Sequence, residues 1–569
     1  MIGTGSSRNR RNRTIYLALI CAVALSCAQG VAPAADKSFL QASPEDVQAW
    51  RELKFGLFVH WGPVSLKGTE IGWSRGGERR GRRDKSTGPI PVEVYDNLYK
   101  EFNPVRFDAD EWIRMAKGAG MRYLVFTSKH HDGFSMFDSK LTEYKITNSP
   151  FKRDVVKELA DACHKAGLKL GYYYSPVDWY HPDYRTENHA RYIRFMHGQL
   201  REICSNYGKI DIIWFDGLGG SAKDWDSENL FRMIRRLQPH VIINNRAGLP
   251  ADHDTPEQRI GGFQNDRPWE TCMTICRQWA WKPNDQMKSM KECIQTLVRV
   301  TGGDGNLLFN VGPMPDGRIE GRQVDRLHEM GDWLREYGES IYGTRGGPFK
   351  TTAAIASTHR GNTIYVHILN WSEDTVSLPP LPKRIVDASL LTGGSLSVRQ
   401  TGEGIQIEVP PRDRQEIDTI VKLEFDGPAG DIESIAISSA SLASGKRASA
   451  SNVFQKNRGY RANKAFDDDP GTRWATDSGV KQAWLAVDLG KPITFNRVAV
   501  SEAYDRVRRF ELQHREGSSW KTFLKGSRMG EEYSRKFEPV TAQHVRLNIL
   551  EATDGPTIWE FHLLPPAKP

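Results

Sequence analysis

Apolar and polar positions follow two different rhythms along this chain, and the change comes near residue 346. Before it, short runs of consecutive apolar residues are separated by longer stretches with apolar positions three and four apart. Runs of the first kind suit strands buried on both faces, and the second spacing suits helices laid over them. Strands are predicted at 54–60 (KFGLFVH), 122–128 (RYLVFTS), 168–175 (LKLGYYYS), 210–216 (IDIIWFD), 241–245 and 305–312 (GNLLFNVG). A helix is predicted to start at Ser43-Pro44-Glu45-Asp46, and others over 108–120, 154–167, 187–207, 227–237, 287–301 and 321–340. Past 346 the apolar runs turn short and alternating, at 363–369, 385–390, 405–409 and 421–425, with Gly and Pro turns between them. That pattern predicts a β-sandwich. A further β-rich unit occupies about 440–565.

Alternating strands and helices with right-handed crossovers predict a TIM-like (β/α) barrel for the first part of the chain. An open doubly wound sheet would need a glycine-rich phosphate turn after its first strand, and His60-Trp61-Gly62-Pro63 is not one. The polar residues favour the barrel as well. His60, His130, His131, Tyr173, Asp216 and Arg246 all fall at or just past the C-terminal ends of predicted strands. In a barrel those ends converge on one mouth, so six scattered residues become one pocket.

The centre of that pocket is Asp216. Four apolar residues, Ile212 to Phe215, lead into it, and Gly217, Gly219 and Gly220 follow. Asp is a poor strand residue, so a carboxylate at a buried strand tip serves chemistry or an ion pair. As a nucleophile on a sugar it needs a second carboxyl as acid and base. Glu257, in the polar stretch Asp254-Thr255-Pro256-Glu257-Gln258-Arg259, is the first candidate, on an irregular loop free to swing over the mouth. The competing reading pairs it with Arg259 in solvent. Glu270, also placed on a loop, is the fallback. Adjacent His130 and His131 point to opposite faces of a strand, so only one is expected to meet substrate, the other lying in the core. No metal-ligand spacing accompanies them. Trp73 and Trp279 offer apolar faces to a sugar or to the core.

Length and the N-terminus refine the picture. A chain of 569 residues exceeds one core. Residues 1–35 read as an export signal, with Arg8, Arg10, Arg11 and Arg13, an apolar stretch and small residues at 32–35. The apolar stretch is too short for a membrane anchor, so no membrane insertion is expected. Losing four Arg and no acid lowers the net charge from +8 to +4, which is no nucleic-acid balance. Five cysteines remain, Cys163, Cys204, Cys272, Cys276 and Cys293, and an odd, sparse set predicts buried free thiols.

The motifs HWG at 60–62, KHHDGF at 129–134, YYS at 173–175, WFDG at 214–217, TPEQ at 255–258 and NVGP at 310–313 resemble, in this order, alpha-L-fucosidases of glycoside hydrolase family 29. Trp269 to Thr274 and GESIYGT at 338–344 agree. The resemblance implies a (β/α) barrel, a retaining double displacement without a metal, and Asp216 as nucleophile. It also implies that His60, His130, His131, Tyr173, Trp214 and Arg246 hold fucose and the nucleophile. Glu257 is carried over as acid/base, with Glu270 behind it. Some members have Glu directly before the residue matching Trp73; this chain has Gly72, with Glu70 two places earlier. Within 440–565, the stretches ASAS at 448–451, AFDDD at 465–469, TRW at 472–474 and WLAVDLG at 484–490 resemble a discoidin-like (factor 5/8 C-type) carbohydrate-binding module.

The expected organisation is a signal over 1–35, a catalytic barrel over 36–345, a β-sandwich over 346–430 and a discoidin-like β-sandwich over 431–569. Trp474 and Trp484 are expected in the core of that module. No cofactor is expected beyond a structural calcium held by backbone carbonyls at 467–469, the alternative being a solvated turn. The expected partner is a fucosylated, polymeric glycan. The basic insertion 75–85, with Arg75, Arg79, Arg80, Arg82, Arg83 and Lys85 against Glu78 and Asp84, reads as a solvated lid or as a contact for sulfated glycans. Two other readings stand beside the enzyme: a catalytically silent fucose-binding barrel, and a related glycosidase with altered sugar specificity.

Overall fold

The computed structural model describes residues 38–82, 87–371, 373–437, 441–469, 471–530 and 533–566. The 1–35 segment read as an export signal and Arg83 to Lys85 lie outside the described residues.

Seven parallel strands form the first sheet: β1 (Phe55–Val59), β2 (Tyr123–Lys129), β3 (Lys169–Tyr174), β4 (Ile212–Phe215), β5 (Ile242–Ile243), β6 (Glu270–Thr274) and β7 (Asn306–Val311). They lie in the order β5-β4-β3-β2-β1-β7-β6. Helices between them start where side-chain caps allow: Asp108 accepts from Glu111 N–H, Asp154 from Lys157 N–H, and Ser289 makes a capping box with Glu292. Gly167, at φ 68°, stops the helix Val155–Ala166 in the left-handed region. The barrel interior is filled by Phe58, Tyr123, Val125, Tyr173, Ile212, Trp214, Cys272 and Leu308.

β5 and β6 do not pair with each other, and residues 252–258 fill the gap between them. Asn245 N–H donates to His253, Glu270 N–H to Asp254, Cys272 N–H to Pro256, and Gln258 N–H back to Cys272. This segment was expected as a free-swinging loop, but its backbone is pinned to both sides of the seam. Glu270, also expected on a loop, opens β6 opposite Asn306 at the start of β7. β6 escaped prediction because ETCMT has neither an apolar run nor alternation.

Beyond the barrel, a five-stranded antiparallel sheet and a three-stranded one pack face to face, with Ile364, Val366, Val421 and Leu423 against Leu378, Ile405 and Ile407. The C-terminal unit is a seven-stranded antiparallel sheet. Its two longest strands, Ala483–Glu502 and Tyr533–Ala552, break register twice along their pairing, and the sheet encloses a core of its own. Trp474 lies in that core, whereas Trp484 is only half-buried. All five cysteines are free and buried. Among the described residues no helix is long and apolar enough to cross a membrane.

Candidate active site

Asp216 is the first residue beyond β4, so the strand delivers its carboxylate to the mouth. Oδ2 accepts from the Tyr173 hydroxyl at 3.1 Å and lies 3.5 Å from His131 Nε2. Oδ1 accepts from Arg246 Nη1 at 3.3 Å. Arg246 is itself held: Nε donates to Thr255 Oγ1 at 2.8 Å, Nη2 to the Thr255 carbonyl at 2.9 Å, and the guanidinium lies 4.8 Å from the centre of the Trp214 ring. Nη1 therefore serves two carboxylates, Asp216 and, at 2.8 Å, Glu257 Oε2. Burial works against the Arg246 charge, but Asp216 and its other neighbours more than offset it and hold the pKa above the ordinary value. The cation beside Glu257 is thus Arg246, not Arg259.

Three imidazoles surround the carboxylate. His60 Nδ1 is linked to Asn310 Oδ1 at 2.6 Å, and His131 Nδ1 to Ser175 Oγ at 2.6 Å. Both pKa values are pushed down to about 4 by burial, with the Asn310 bond resisting in the first and Asp216 in the second, so both rings are neutral near pH 7. His130 stacks on Tyr173 at 5.4 Å and 8°, and its buried Nδ1 has no hydrogen-bond partner among the described residues. Burial, then His131 and His60, hold its pKa well down. The expected opposition of His130 and His131 does not occur. β2 ends at Lys129, the chain turns with Gly133 N–H bonding the His130 carbonyl, and the two rings lie 4.2 Å apart on the same pocket.

Trp73 meets the His131 ring edge-on at 5.6 Å, and Trp279 lies 4.9 Å from the His60 ring. Gly72, at φ 65°, suits a crowded spot, because a Cβ there would come within 2.7 Å of His130 Nδ1. Glu70 faces elsewhere, its carboxylate accepting the N–H groups of Ile71, Trp279 and Ala280 at 3.0 to 3.2 Å. Burial pushes its pKa up to about 7 against those three bonds. Asn310, Ser175, Thr255 and Glu70 were missed as site residues. The first three sit inside or beside the quoted motifs, but nothing local marks them as partners of His60, His131 and Arg246.

The family model described as alpha-L-fucosidase matches residues 25–339, more than half of the chain. The chain belongs to the alpha-L-fucosidase family. A second family model, F5/8 type C domain, matches residues 447–561. Plasma alpha-L-fucosidase of Homo sapiens is 30% identical over 422 residues, which is 66% of this chain and 88% of the human protein. Alpha-L-fucosidase isoenzyme 1 from Paenibacillus thiaminolyticus is 35% identical with a TM-score of 0.62, covering 67% of this chain and 99% of that one. A Bacteroides thetaiotaomicron GH29 alpha-L-fucosidase, solved as a trapped covalent intermediate with 2-fluoro-fucosyl fluoride, is 26% identical with a TM-score of 0.60, over 68% and 97% of the two chains.

Within this fucosidase barrel, ten of the eleven expected site residues come together: His60, Trp73, His130, His131, Tyr173, Trp214, Asp216, Arg246, Glu257 and Trp279. Glu270 does not. It lies at the N-terminal end of its strand, fully buried, accepting from the Tyr123 hydroxyl at 2.5 Å and from Trp214 Nε1 at 3.0 Å. Burial raises its pKa to about 7, the two bonds resisting. A carboxyl beneath the ring of Trp214 supports the floor of the pocket and is out of reach of a substrate at the mouth.

Proposed function

We propose that this alpha-L-fucosidase is exo-acting and retaining, releasing terminal L-fucose through a covalent fucosyl-enzyme, with Asp216 as nucleophile and Glu257 as acid/base. The observation that carries this reading is the shared Arg246 Nη1. Two oxygens bonded to one nitrogen at 3.3 and 2.8 Å are no farther apart than those lengths laid end to end, about 6.1 Å. Retaining enzymes hold their carboxyls about 5–5.5 Å apart and inverting ones about 6.5–9.5 Å. The covalent intermediate trapped in the Bacteroides relative supports the same course.

In this mechanism an Asp216 oxygen attacks the anomeric carbon as the glycosidic C–O bond breaks, and Glu257 gives its proton to the leaving oxygen. Water then attacks the same carbon, Glu257 takes the water proton, and Asp216 leaves. Glu257 must exchange its bond to Arg246 for the glycosidic oxygen to do this. His60, His130, His131, Tyr173, Trp214 and Arg246 hold the fucose hydroxyls and the nucleophile. Trp73 and Trp279 bound the sugar with apolar surface.

Three finer readings accompany it. The first is export under the 1–35 signal. In the second the glycan is anionic: Arg79 and Arg82 lie 5.2 and 4.9 Å from the Trp73 ring beside the mouth, and Arg82 adds to the positive field at His131. Arg75 belongs to neither lid nor ligand, since it is buried against Asp96 at 2.6 Å. The third is a structural calcium in the module, held by backbone carbonyls at 467–469 with the carboxylates of Asp468 and Glu560, whose oxygens lie within 4.8 Å of one another, beside them.

Release of aryl alcohol from an aryl alpha-L-fucoside tests the main reading. Asp216→Ala should abolish turnover, and azide should rescue Glu257→Ala while leaving Glu270→Ala unaided. A wild type that binds fucose without turning the fucoside over would make the barrel a lectin-like receptor.

A further inference from the structure

Glu270 lies out of reach of substrate, yet it is bonded to a residue at the centre of the site. Its carboxyl is fully buried at the start of β6. Oε1 accepts from Trp214 Nε1 at 3.0 Å, and Oε2 accepts from the Tyr123 hydroxyl at 2.5 Å. Among the described residues its one candidate for an ion pair is His253, whose Nε2 stands 3.8 Å from Oε1. Burial, then the charges of Arg267 and Arg246, push the His253 pKa down to about 3, so that ring is neutral near pH 7. A buried carboxyl with no cation to offset it is costly. What it supplies that an apolar residue would not is an acceptor for two ring-borne donors. One of them is the single polar atom of the Trp214 side chain.

Through Trp214 that bond reaches the chemistry. β4 lies between β3 and β5 in the sheet, and each side sends one residue against the indole. Tyr173 of β3 is the register partner of Trp214, and its ring stacks on the indole at 5.6 Å and 19°. Arg246, just past β5, lays its guanidinium 4.8 Å from the centre of the Trp214 ring. Tyr173 and Arg246 both donate to the Asp216 carboxylate, at 3.1 and 3.3 Å. The torsion that tilts an aromatic plate on its Cβ is broad rather than confined to narrow wells. A hydrogen bond at the far edge of the indole is what fixes that tilt, and with it the two donors packed against the plate.

We propose that Glu270 is a positioning residue for the fucosidase reaction: by holding the Trp214 indole it aims the Tyr173 hydroxyl and the Arg246 guanidinium at Asp216. This rests on the reading of Asp216 as nucleophile. The requirement is reach, not charge. Trp214 needs an acceptor oxygen where Oε1 stands, and an amide of the same length offers one as a carboxylate does. A carboxylate one methylene shorter keeps the charge, withdraws the acceptor and leaves the indole free to tilt.

Turnover of an aryl alpha-L-fucoside by the full chain separates reach from charge. Glu270→Gln should keep kcat within about twofold of wild type, because the bond to Trp214 is still made. Glu270→Asp should lower kcat about 10- to 100-fold, the scale of groups displaced by up to an ångström. Glu270→Met, with the length but no acceptor, should show the same loss and takes the place of the aspartate variant if that one fails to fold. Combined with Tyr173→Phe or Arg246→Lys, the loss should fall well short of the product of the single losses, since all three changes act on one carboxylate. Wild-type kcat in the aspartate and methionine variants would overturn the proposal. So would a glutamine variant as impaired as the aspartate one, or losses that multiply with both partners. Affinity for a fucose-configured iminocyclitol, read by calorimetry, should follow the same order, unchanged in Glu270→Gln and about tenfold weaker in Glu270→Asp. A wild type inert on the fucoside would overturn the enzyme reading instead, and the calorimetric order would still decide the positioning.

Discussion

At the residue scale, the site depends on a few bonds to one carboxylate. The Tyr173 hydroxyl is the neutral donor to Asp216, so Tyr173→Phe should keep the stacked ring and lose the bond. A hydrogen bond to a charged group contributes about 1.5–3 kcal/mol, which predicts a fall in kcat of about 10- to 100-fold with the thermal midpoint little changed. Arg246→Lys removes the fork that meets Thr255 twice while reaching both carboxylates. It should cost more in kcat/KM than the Tyr173 variant, measured on the same fucoside. Glu270 makes a different prediction, about stability. Its folded pKa of about 7 stands above the ordinary 4.5, so the contribution of its protonated form is complete below pH 4.5 and fades as pH rises through 7. Glu270→Gln lacks that titration, and its stability relative to wild type should climb between pH 4.5 and 7. A shift of this size corresponds to about 3 kcal/mol. Denaturant midpoints of both proteins across that range would show a parallel course if Glu270 were unperturbed.

Among the elements, the two ends of the strands have separate duties. The C-terminal end of β4 delivers Asp216 to the mouth, whereas the N-terminal ends are tied by Asp304, between the helix Met290–Gly302 and β7. Its buried carboxylate meets Arg51 at 2.5 Å, Arg345 at 2.6 Å and Lys54 at 3.9 Å. Arg345 belongs to the sandwich sheet, so one side chain joins the barrel floor to the next layer. Asp304→Ala would leave Lys54 buried beside two arginines, and losing one partner of a buried ion pair costs about 3–5 kcal/mol. Denaturation should show that loss while kcat at permissive temperature stays near wild type. Element prediction itself succeeded where apolar runs were continuous, β5 within the predicted 241–245 included, and failed at β6. The polar run ETCMT leaves no period to read, and its strand state comes from neighbours already in place.

For the whole molecule, the cores predict how it comes apart. Ala356, Tyr365, Leu369 and Ile420 of the sandwich belong to the same apolar cluster as the barrel, whereas the module's core shares no residue with either. Calorimetry of the full chain should resolve two transitions, barrel with sandwich in one and module in the other. Calcium, bound only by the folded module, should raise the second by mass action. A single transition indifferent to calcium would contradict both the separate cores and the cation site.

The sequence by itself determined the barrel, the nucleophile candidate and most of the mouth. Apolar period is a local property, and a parallel barrel sends every strand end to one face whatever the loops do. Only the tertiary structure placed Glu257 beside Asp216 and Glu270 beneath the pocket. The two are 13 residues apart, yet one ends a seam segment at the mouth and the other begins a strand at the floor. It also decided that His130 and His131 share the pocket and that Glu70 clamps the Trp279 stretch. Each of these is a distance between segments remote in sequence or a side-chain direction set by a turn, and neither leaves a period in the chain.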